Sequence, residues 1–380
     1  MSFATSFVDG VLRYFPPPRY LTLAAVGLDV SDESIKLIEL GVATDHLTLL
    51  KHGEEKIPLG VVENGKIKDA GALVRSLESV RKKHAVTNII VSLPEEQAYV
   101  VKLRLPPIKR SELRGGIELQ LEEFVPLKPS EAEFDYDIMH EPDRVHPYYD
   151  LNVSVLPKVT VQSYTDVFTR AGLRPVIFEI EGQALARAVV PESDQGTVMV
   201  VDFGKWRTGI AIVQERTLRF SATLPFGGSH VNKAIMEKFQ VSEDEAERMK
   251  RDQKSVPAAQ QQALQELVTA SLAVLADEIS KYKLFWQEHK DEVGEERKKI
   301  AEVVLCGGAS NVPGISETLH EAVLLPVRLA NPWVNVLALE HDIPAIPAKD
   351  ALRYATAIGL ALRAVPHLHD FRRVTPVEHQ

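Results

Sequence analysis

One pattern that occurs twice constrains the fold of this chain more than any other feature: a buried strand ends in aspartate, and a tight turn leads to a second strand. The first copy is AAVGLDVSDESIKLIELG, in which Asp29 ends the strand. The second is TVMVVDFGKWRTGIAIVQ, in which Asp202 has the same place. β-Branched runs interrupted by Gly, Ser and Asp are typical of strands joined by short turns. The pattern therefore predicts two pseudo-equivalent α/β halves.

The turns have the composition of phosphate-binding sites. Backbone N–H groups of such turns can point at phosphate oxygens, and a nearby carboxylate can hold Mg²⁺ or its waters. The second turn continues from Asp202 to Gly204 and Thr208, and a glycine pair, Gly307 and Gly308, follows the apolar run EVVLC. An aspartate before a turn is usually structural, so it is the order of the three turns that indicates a nucleotide.

Composition excludes several classes of protein. A length of 380 residues favours more than one domain, and a formal net charge of -9 lacks the basic excess of a nucleic-acid-binding protein. The single cysteine, Cys306, allows no intramolecular disulfide and no site of several thiolates, which fits a reducing cytosol. No apolar run is long enough to cross a bilayer, so we expect no membrane span.

Other catalytic and metal motifs are missing from the sequence. It contains neither a G-x-S-x-G elbow nor a P-loop. The histidines include two close pairs, His140 with His146 and His367 with His369, but neither pair has metal-ligand spacing on a predicted helix. We interpret these histidines as surface residues.

In their order, the three turns resemble the phosphate-one, phosphate-two and adenosine motifs of the actin, sugar-kinase and Hsp70 superfamily. Four stretches are similar to the PilM family of type IV pilus assembly proteins. They are GLDVSDESIKLIEL, the pentapeptide EEFVP at 122–126, LPKVTVQSYTDVFTRAGLRPVIFEIEGQALARA, and LPFGGSHVNKAI followed by EDEAERMK. The resemblance covers roughly residues 24–364, and its third stretch is the most diagnostic. The cell-division family FtsA is a close relative.

The resemblance implies an α/β fold of the actin-like ATPase (ribonuclease-H-like) type, with two lobes and an inserted FtsA-like subdomain. The expected divisions are an N-terminal amphipathic tip at 1–23, a first lobe at 24–93 and 340–364, the inserted subdomain at 94–178, a second lobe at 179–225 and 300–339, a helical subdomain at 226–299, and a mobile tail at 365–380.

The resemblance also implies ATP and Mg²⁺ in a cleft between the lobes, with Asp29 and Asp202 holding the metal through water. The residues it assigns to the nucleotide are Asp29, Ser31, Lys36, Asp202, Gly204, Thr208, Glu247, Lys250, Gly307 and Gly308. Two of these, Glu247 and Lys250, are equally consistent with a solvated helix face. Hydrolysis needs a polar side chain that positions water, and Glu181 and Gln183 are the candidates, although a structural role fits their spacing as well.

The first turn departs from the family pattern Asp-x-Gly-Ser, since it contains Asp-Val-Ser-Asp at 29–32. A carboxylate at Asp32, about 5 Å from a phosphate charge, would cost roughly 3 kcal/mol at an effective dielectric constant near 20. We therefore expect weak binding unless Mg²⁺ or Lys36 offsets this charge, or unless Asp32 points away from the cleft.

PilM-like proteins dock the short cytoplasmic N-terminal tail of a bitopic membrane protein, PilN, so the resemblance implies such a tail and other pilus platform proteins as partners. The groove would lie between the first lobe and the inserted subdomain. Its candidate residues, which fit a core position as well, are Leu103, Leu105, Ile108, Phe124 and Val125. The predicted function is a cytoplasmic nucleotide-binding scaffold, peripheral to the inner membrane through its partners, with at most weak ATPase activity.

Three other functions share this fold. An FtsA-like cell-division adaptor would normally carry a C-terminal amphipathic helix, and HLHDFRRVTPVEHQ has no clear apolar face. A GspL-like secretion-platform component would normally continue into a transmembrane helix. A small-molecule kinase would need a catalytic base, for which we find no distinctive motif.

Overall fold

A computed structural model of the protein describes residues 25–42, 47–336 and 344–365. The predicted N-terminal tip, and the predicted tail beyond Val365, lie outside these residues. The strands are β1 (Val26–Val30), β2 (Ser34–Val42), β3 (Leu47–Lys56), β4 (Val62–Glu63), β5 (Lys66–Ile67), β6 (Asn88–Leu93), β7 (Tyr99–Leu105), β8 (Ala132–His140), β9 (Tyr149–Pro157), β10 (Arg174–Ile180), β11 (Thr197–Phe203), β12 (Thr208–Gln214), β13 (Thr217–Leu224), β14 (Glu302–Cys306) and β15 (Val327–Leu329).

The helices alternate with these strands along the chain. They are α1 (Ala70–His84), α2 (Leu113–Phe124), α3 (Lys158–Arg170), α4 (Glu181–Val189), α5 (Gly228–Phe239), α6 (Glu243–Arg251), α7 (Ala258–Glu288), α8 (Ile315–Val323), α9 (Ala348–Ala351) and α10 (Ala355–Ala364). Within the described ranges, none of them combines the length and the hydropathy that a bilayer crossing requires.

Two mixed sheets repeat one topology. The first has the order β3-β2-β1-β6-β10 and the second the order β13-β12-β11-β14-β15. In each, the strand that ends in aspartate is antiparallel to the strand after its turn and parallel to the strand on its other side. The two pseudo-equivalent halves that the sequence predicts are therefore confirmed.

Alternation along β11 divides the second sheet between two cores. Val198 and Val200 face a core shared with the first sheet, which also buries Cys306, whereas Met199 and Val201 face helices α5 to α8. Each β-branched residue of this run is therefore buried, as expected for a strand covered on both faces.

Helices α4 and α10 pack closely beside the first sheet. A Cβ on Gly359 of α10 would lie 1.8 Å from the carbonyl oxygen of Ala184, so only glycine permits this approach. The sequence ALRYATAIGLALRAV predicts a helix of small residues, and this helix is α10. Its small side chains allow it to pack closely against α4. Because α4 begins at Glu181, this packing fixes the position of that residue.

The inserted segment forms its own layer, in which the sheet β7-β9-β8 is covered by α2. Leu103, Leu105 and Val125 are buried in its core, while Ile108 and Phe124 are half-buried against it. The prediction that these residues line a partner groove is therefore wrong for the three buried ones, and the other two pack on the same core. The reason is that α2 covers the apolar face of β7.

The pairing of strand β10 changes one predicted boundary, the end of the inserted subdomain. Strand β10 pairs in parallel with β6, from Arg174 opposite Asn88 to Ile180 opposite Leu93, so it belongs to the first sheet. The expected division at 178 therefore cuts through a strand of the first lobe and is wrong at that point. The other divisions remain a proposal.

Candidate nucleotide-binding cleft

A cleft of about 520 Å³ opens between the two sheets. This volume lies within the range of small-molecule sites. The predicted residues that line it are Asp29, Ser31, Lys36, Glu181, Asp202, Gly204, Glu247, Lys250, Gly307 and Gly308. They come from distant parts of the sequence and meet because β1, β11 and β14 all direct their carboxyl ends to the cleft, which is where α/β sheets bind ligands.

The first turn holds its aspartate between two polar partners. Asp29 is buried, and its Oδ1 accepts a hydrogen bond from Ser92 Oγ at 3.1 Å. Its Oδ2 lies 3.7 Å from the Nζ of Lys36, the residue opposite it on β2. Ser31 closes the turn, because its Oγ donates to the Ser34 carbonyl oxygen at 3.0 Å. The turn is therefore formed without a ligand.

The extra carboxylate of this turn has a partner that sequence analysis missed. Asp32 accepts hydrogen bonds from Arg207 Nη1 at 3.1 and 3.2 Å, and the same nitrogen lies 2.5 Å from Glu96 Oε1. Arg207 belongs to the opposite turn, so each turn supplies one charge of the pair. The available signal was a cation inside the second phosphate turn, GKWRTG. Asp32 is thus compensated by Arg207 and not by Lys36.

The second turn is built mainly from backbone hydrogen bonds. Gly204 N donates to the Arg207 carbonyl oxygen at 3.0 Å, and the Gly204 carbonyl oxygen accepts from Gly228 N, the first residue of α5, at 2.9 Å. Thr208 does not meet the cleft, which corrects the prediction that it contacts phosphate. Its side chain is fully buried, and its Oγ1 donates to the Phe226 carbonyl oxygen at 2.6 Å.

The glycine pair makes room for the second aspartate. Gly307 has a φ of +87°, and a Cβ there would lie 2.2 Å from Asp202 Oδ1. Glycine is therefore required for the aspartate to occupy its position, in addition to any role toward a ribose. Gly308 also lines the cleft and opens a short 3₁₀ turn over Gly308–Asn311.

Glu247 and Lys250 form a fixed pair on the cleft wall. Their Oε2 and Nζ atoms are 2.6 Å apart, and Lys250 also donates to the Gly228 carbonyl oxygen at 3.3 Å. Burial lowers the pKa of Lys250. Burial opposes ionisation of Glu247 too, but Lys250 and Asn232 outweigh it and lower the pKa of Glu247 to about 2. A solvated helix face therefore does not describe Lys250, which is 2% exposed.

Three carboxyl groups form the floor of the cleft. Burial, followed by the charges of Asp29 and Asp202, raises the pKa of Glu181 well above its usual range. Burial and Asp29 likewise raise the pKa of Asp202, which shares a hydrogen bond with Glu181. Such oxygen-rich, electron-rich surroundings suit Mg²⁺, because carboxylate oxygens are its preferred protein ligands and its charge would relieve their repulsion.

Gln183 lies outside this cleft, which corrects its assignment as a water-positioning candidate there. Two residues along an α-helix turn the side chain by about 200°, so Gln183 and Glu181 point to opposite sides of α4. The Nε2 of Gln183 donates to Ser154 Oγ at 3.2 Å and borders a different cavity.

Glu95 is a buried cleft residue that sequence analysis did not find. It follows the end of β6, is 4% exposed, and fits between two glycines whose Cβ atoms would lie 2.6 Å (Gly182) and 3.2 Å (Gly209) from its oxygens. Its Oε1 has no hydrogen-bond partner within the described residues. Burial, then the charges of Glu96 and Asp202, raises the pKa of Glu95 to about 8.

A second cavity, of about 620 Å³, separates the inserted sheet from the first lobe. Its walls include continuous runs of β8, residues 133–137, and of β10, residues 177–180. Within the described residues both strands lie at the edges of their sheets, so backbone groups without strand partners border the cavity. Along β8, Phe134 faces the core, whereas Asp135 and Asp137 are exposed. We call this cavity the edge-strand groove.

Comparison with solved structures gives the fold its class. A structure described as the PilM-PilN type IV pilus biogenesis complex superposes with a TM-score of 0.74 and 19% sequence identity, covering 90% of this chain and 99% of that chain. The ethanolamine utilization protein EutJ from Carboxydothermus hydrogenoformans superposes with a TM-score of 0.51 and 15% identity, covering 90% of this chain and 93% of that chain. The chain has the actin-like ATPase fold, as the sequence predicts.

Relatives detected by sequence indicate which family within this fold the chain belongs to. The cell division protein FtsA of Buchnera aphidicola is 25% identical over 207 residues, 49% of this chain and 47% of the relative. FtsA of Pseudomonas aeruginosa is 28% identical over 208 residues, 51% of this chain and 48% of the relative. The chain thus spans about half the length of these curated relatives. The family model of the type IV pilus assembly protein PilM matches residues 27–365, and this chain belongs to the PilM family.

Proposed function

We propose that this protein is a nucleotide-binding scaffold of a type IV pilus assembly platform at the cytoplasmic face of the inner membrane. In this proposal it holds Mg·ATP between its lobes and docks the N-terminal tail of a PilN-like membrane protein. The observation that carries the proposal is the meeting of two aspartate turns and a glycine pair at one cleft. The PilM family match favours the pilus role over the cell-division role, since FtsA relatives match only half of the chain.

Different residues of the cleft are expected to bind the metal ion and the phosphate groups. Asp29 and Asp202 would hold Mg²⁺ through its waters, and the bound ion would neutralise phosphate charge. The first N–H groups of α5 already donate to backbone carbonyl oxygens, Gly228 to Gly204 and Ser229 to Lys205. We expect phosphate oxygens to bind beside Gly204 of the second turn, which lines the cleft. A nucleotide that contacts both turns would fix the angle between the lobes and so could alter a distant partner groove.

Slow turnover is expected because the cleft offers little that could position the attacking water. Gln183 lies outside the cleft, so Glu181 is the remaining candidate, and it shares a hydrogen bond with Asp202 on the cleft floor. A carboxyl group that is already hydrogen-bonded to its neighbour is poorly placed to accept a proton from the attacking water. We therefore expect phosphate release slower than about 1 per second, below the rate of ordinary enzymes.

The edge-strand groove suits an extended peptide. Edge strands bind such segments by adding a strand, and β8 and β10 offer two edges on either side of one groove. The groove carries charge of both signs: its walls include the carboxylates of Glu133, Asp135, Asp137 and Glu179 and the guanidinium groups of Arg114, Arg187, Arg216 and Arg363. Glu133 and Glu179 are paired with arginines, so Asp135 and Asp137 are the carboxylates that we expect a tail to meet. Cytoplasmic segments next to a membrane span are enriched in Lys and Arg, which would suit them. This groove replaces the one that we predicted from Leu103 and its neighbours.

Charge reversal in the groove tests the docking proposal. We expect the double variant Asp135→Lys/Asp137→Lys to bind a synthetic tail peptide at least about tenfold more weakly, because like charges then face each other. Fluorescence anisotropy with labelled N-terminal tails of bitopic pilus proteins would measure the change. Both side chains are exposed on β8, but Asp137 lies near Arg363 and Arg187, so the melting temperature of the variant would be measured beside its peptide affinity.

The matched control is Glu123→Lys, which reverses an exposed carboxylate on α2, outside the groove. This variant should bind the tail like the wild type. Equal affinities for the groove variant and the wild type would refute the groove assignment, and so would equal losses for the groove variant and Glu123→Lys.

A further inference from the structure

We propose that His140, Asp143 and His146 form a binding site for a divalent transition-metal ion of the Zn²⁺ class on the loop between β8 and β9. The proposal does not depend on the nucleotide cleft. The three side chains each offer one ligand atom, and these atoms lie within 4.8 Å of one another. Sequence analysis interpreted the two histidines as surface residues because their spacing fits no helical motif, but the loop brings them together.

The distances suit a tetrahedral ion. His140 Nε2 lies 3.5 Å from Asp143 Oδ2, and His146 Nδ1 lies 3.9 Å from Asp143 Oδ1. Two ligands at the usual 2.0–2.1 Å from Zn²⁺ are about 3.3–3.4 Å apart when they subtend a tetrahedral angle. The two distances run to different oxygens of Asp143, and the three ligand atoms lie within 4.8 Å of one another, so binding one ion would draw the two imidazoles toward a single carboxylate group.

The carboxylate is already oriented for this role. Asp143 Oδ1 accepts hydrogen bonds from the backbone N–H groups of Val145 and His146, both at 2.7 Å. The Oδ2 atom is left facing His140, whose Nε2 is shielded from solvent and has no hydrogen-bond partner within the described residues. Metal-ligating carboxylates are typically held by such outer hydrogen bonds.

The loop is anchored next to the cluster. His146 packs edge-on against Tyr148, with ring centroids 6.1 Å apart, and the Arg104 guanidinium lies 3.7 Å above the Tyr148 ring. Arg104 in turn pairs with Asp150 at 2.8 Å. Because these contacts hold one end of the loop and β8 holds His140, little chain entropy remains to be lost when an ion binds.

The donor set selects the class of ion. Two imidazole nitrogens and one carboxylate oxygen suit Zn²⁺, Co²⁺ or Ni²⁺, whereas Mg²⁺ prefers oxygen ligands only. Three protein ligands leave a fourth position for water or for a donor from another molecule. The site would therefore be distinct in its selectivity from the nucleotide cleft, which has the oxygen ligands of a Mg²⁺ site.

Zn²⁺ titration of the untagged full-length protein, after dialysis against a chelator, tests the proposal. We expect one ion to bind, excess Mg²⁺ not to compete, and Co²⁺ to give the visible absorption of a tetrahedral complex. The His140→Ala/His146→Ala variant should lose the Co²⁺ spectrum, and its Zn²⁺ affinity should fall by at least about tenfold. Asp143→Asn, which keeps an oxygen for the loop hydrogen bonds, should also weaken binding.

The second histidine pair provides the matched control. His367→Ala/His369→Ala removes the same number of imidazoles from the C-terminal segment and should leave the Zn²⁺ affinity unchanged. Unchanged affinity in His140→Ala/His146→Ala would overturn the proposal, as would loss of binding in the His367→Ala/His369→Ala control. Circular dichroism of each variant would establish that the fold is intact.

Discussion

Replacing Asp202 by alanine is expected to weaken binding of Mg·ATP by about 30- to 150-fold, while metal-free ATP loses much less. The expected loss corresponds to roughly 2–3 kcal/mol, the usual contribution of a hydrogen bond to a charged group. The reason is that Asp202 would hold the waters of the metal ion and has no direct role toward the nucleotide. Calorimetric titrations with and without Mg²⁺ would measure the two affinities.

The variant should remain folded, because burial and the negative charge of Asp29 both disfavour the ionised Asp202 carboxylate in the apoprotein. Its removal relieves repulsion, so the melting temperature of the apoprotein should not fall. Asp166→Ala, which removes an exposed aspartate of α3, is the control and should bind Mg·ATP like the wild type. Equal losses with and without Mg²⁺ would exclude the metal-holding role.

Replacing Glu95 by glutamine is expected to stabilise the apoprotein in a way that grows with pH. In the unfolded chain Glu95 ionises near its ordinary pKa of 4.5, but in the folded protein burial raises this pKa to about 8. Between these values the folded state holds the extra proton, so the free energy of unfolding of the wild type falls as the pH rises. Glutamine has no proton to lose and avoids this cost.

The two proteins should therefore be about equally stable near pH 4.5 and differ by on the order of 4 kcal/mol near pH 8. Urea unfolding at a series of pH values, without nucleotide, would measure the difference. Glu123→Gln alters an exposed carboxylate and should show no such trend. A difference between Glu95→Gln and wild type that is constant across the pH range would contradict the buried, protonated state of Glu95.

The parts of the fold that sequence analysis predicted are those specified by local patterns. A β-branched run that ends in aspartate specifies a strand and a turn, and the same pattern at Asp29 and Asp202 was sufficient to predict two equivalent sheets. The cleft residues followed from the family resemblance, because the order of the turns fixes which backbone groups meet. Neither prediction required knowledge of how distant side chains pair.

The features that sequence analysis missed depend on packing between distant segments. Arg207 compensates Asp32 across 175 positions of sequence; the turn GKWRTG shows a cation, but nothing local indicates which carboxylate it meets. The apolar residues around Leu103 were expected to line a groove. Their spacing does not indicate that α2 packs over them and buries them in a core. Gln183 and Glu181 are only two positions apart on α4, and their different directions around the helix axis place Glu181 in the cleft and Gln183 outside it.

The two missed sites have sequence signals that are visible once the topology is known. Glu95 follows the end of β6, a parallel neighbour of β1, and carboxyl groups at the ends of adjacent parallel strands converge. The stripe EFDYDIM alternates acidic and apolar residues, which is the pattern of an edge strand with one exposed face. One signal is a position after a strand end and the other is a periodicity of two, and the meaning of both depends on which strands are neighbours.

Titration of the wild-type protein with ATP in the presence of Mg²⁺, followed by phosphate release from the same sample, tests the central claim most directly. A nucleotide-binding scaffold should take up one ATP per chain, more tightly with Mg²⁺ than without it, and release phosphate more slowly than about 1 per second. Absence of binding, or steady phosphate release well above that rate, would contradict the claim.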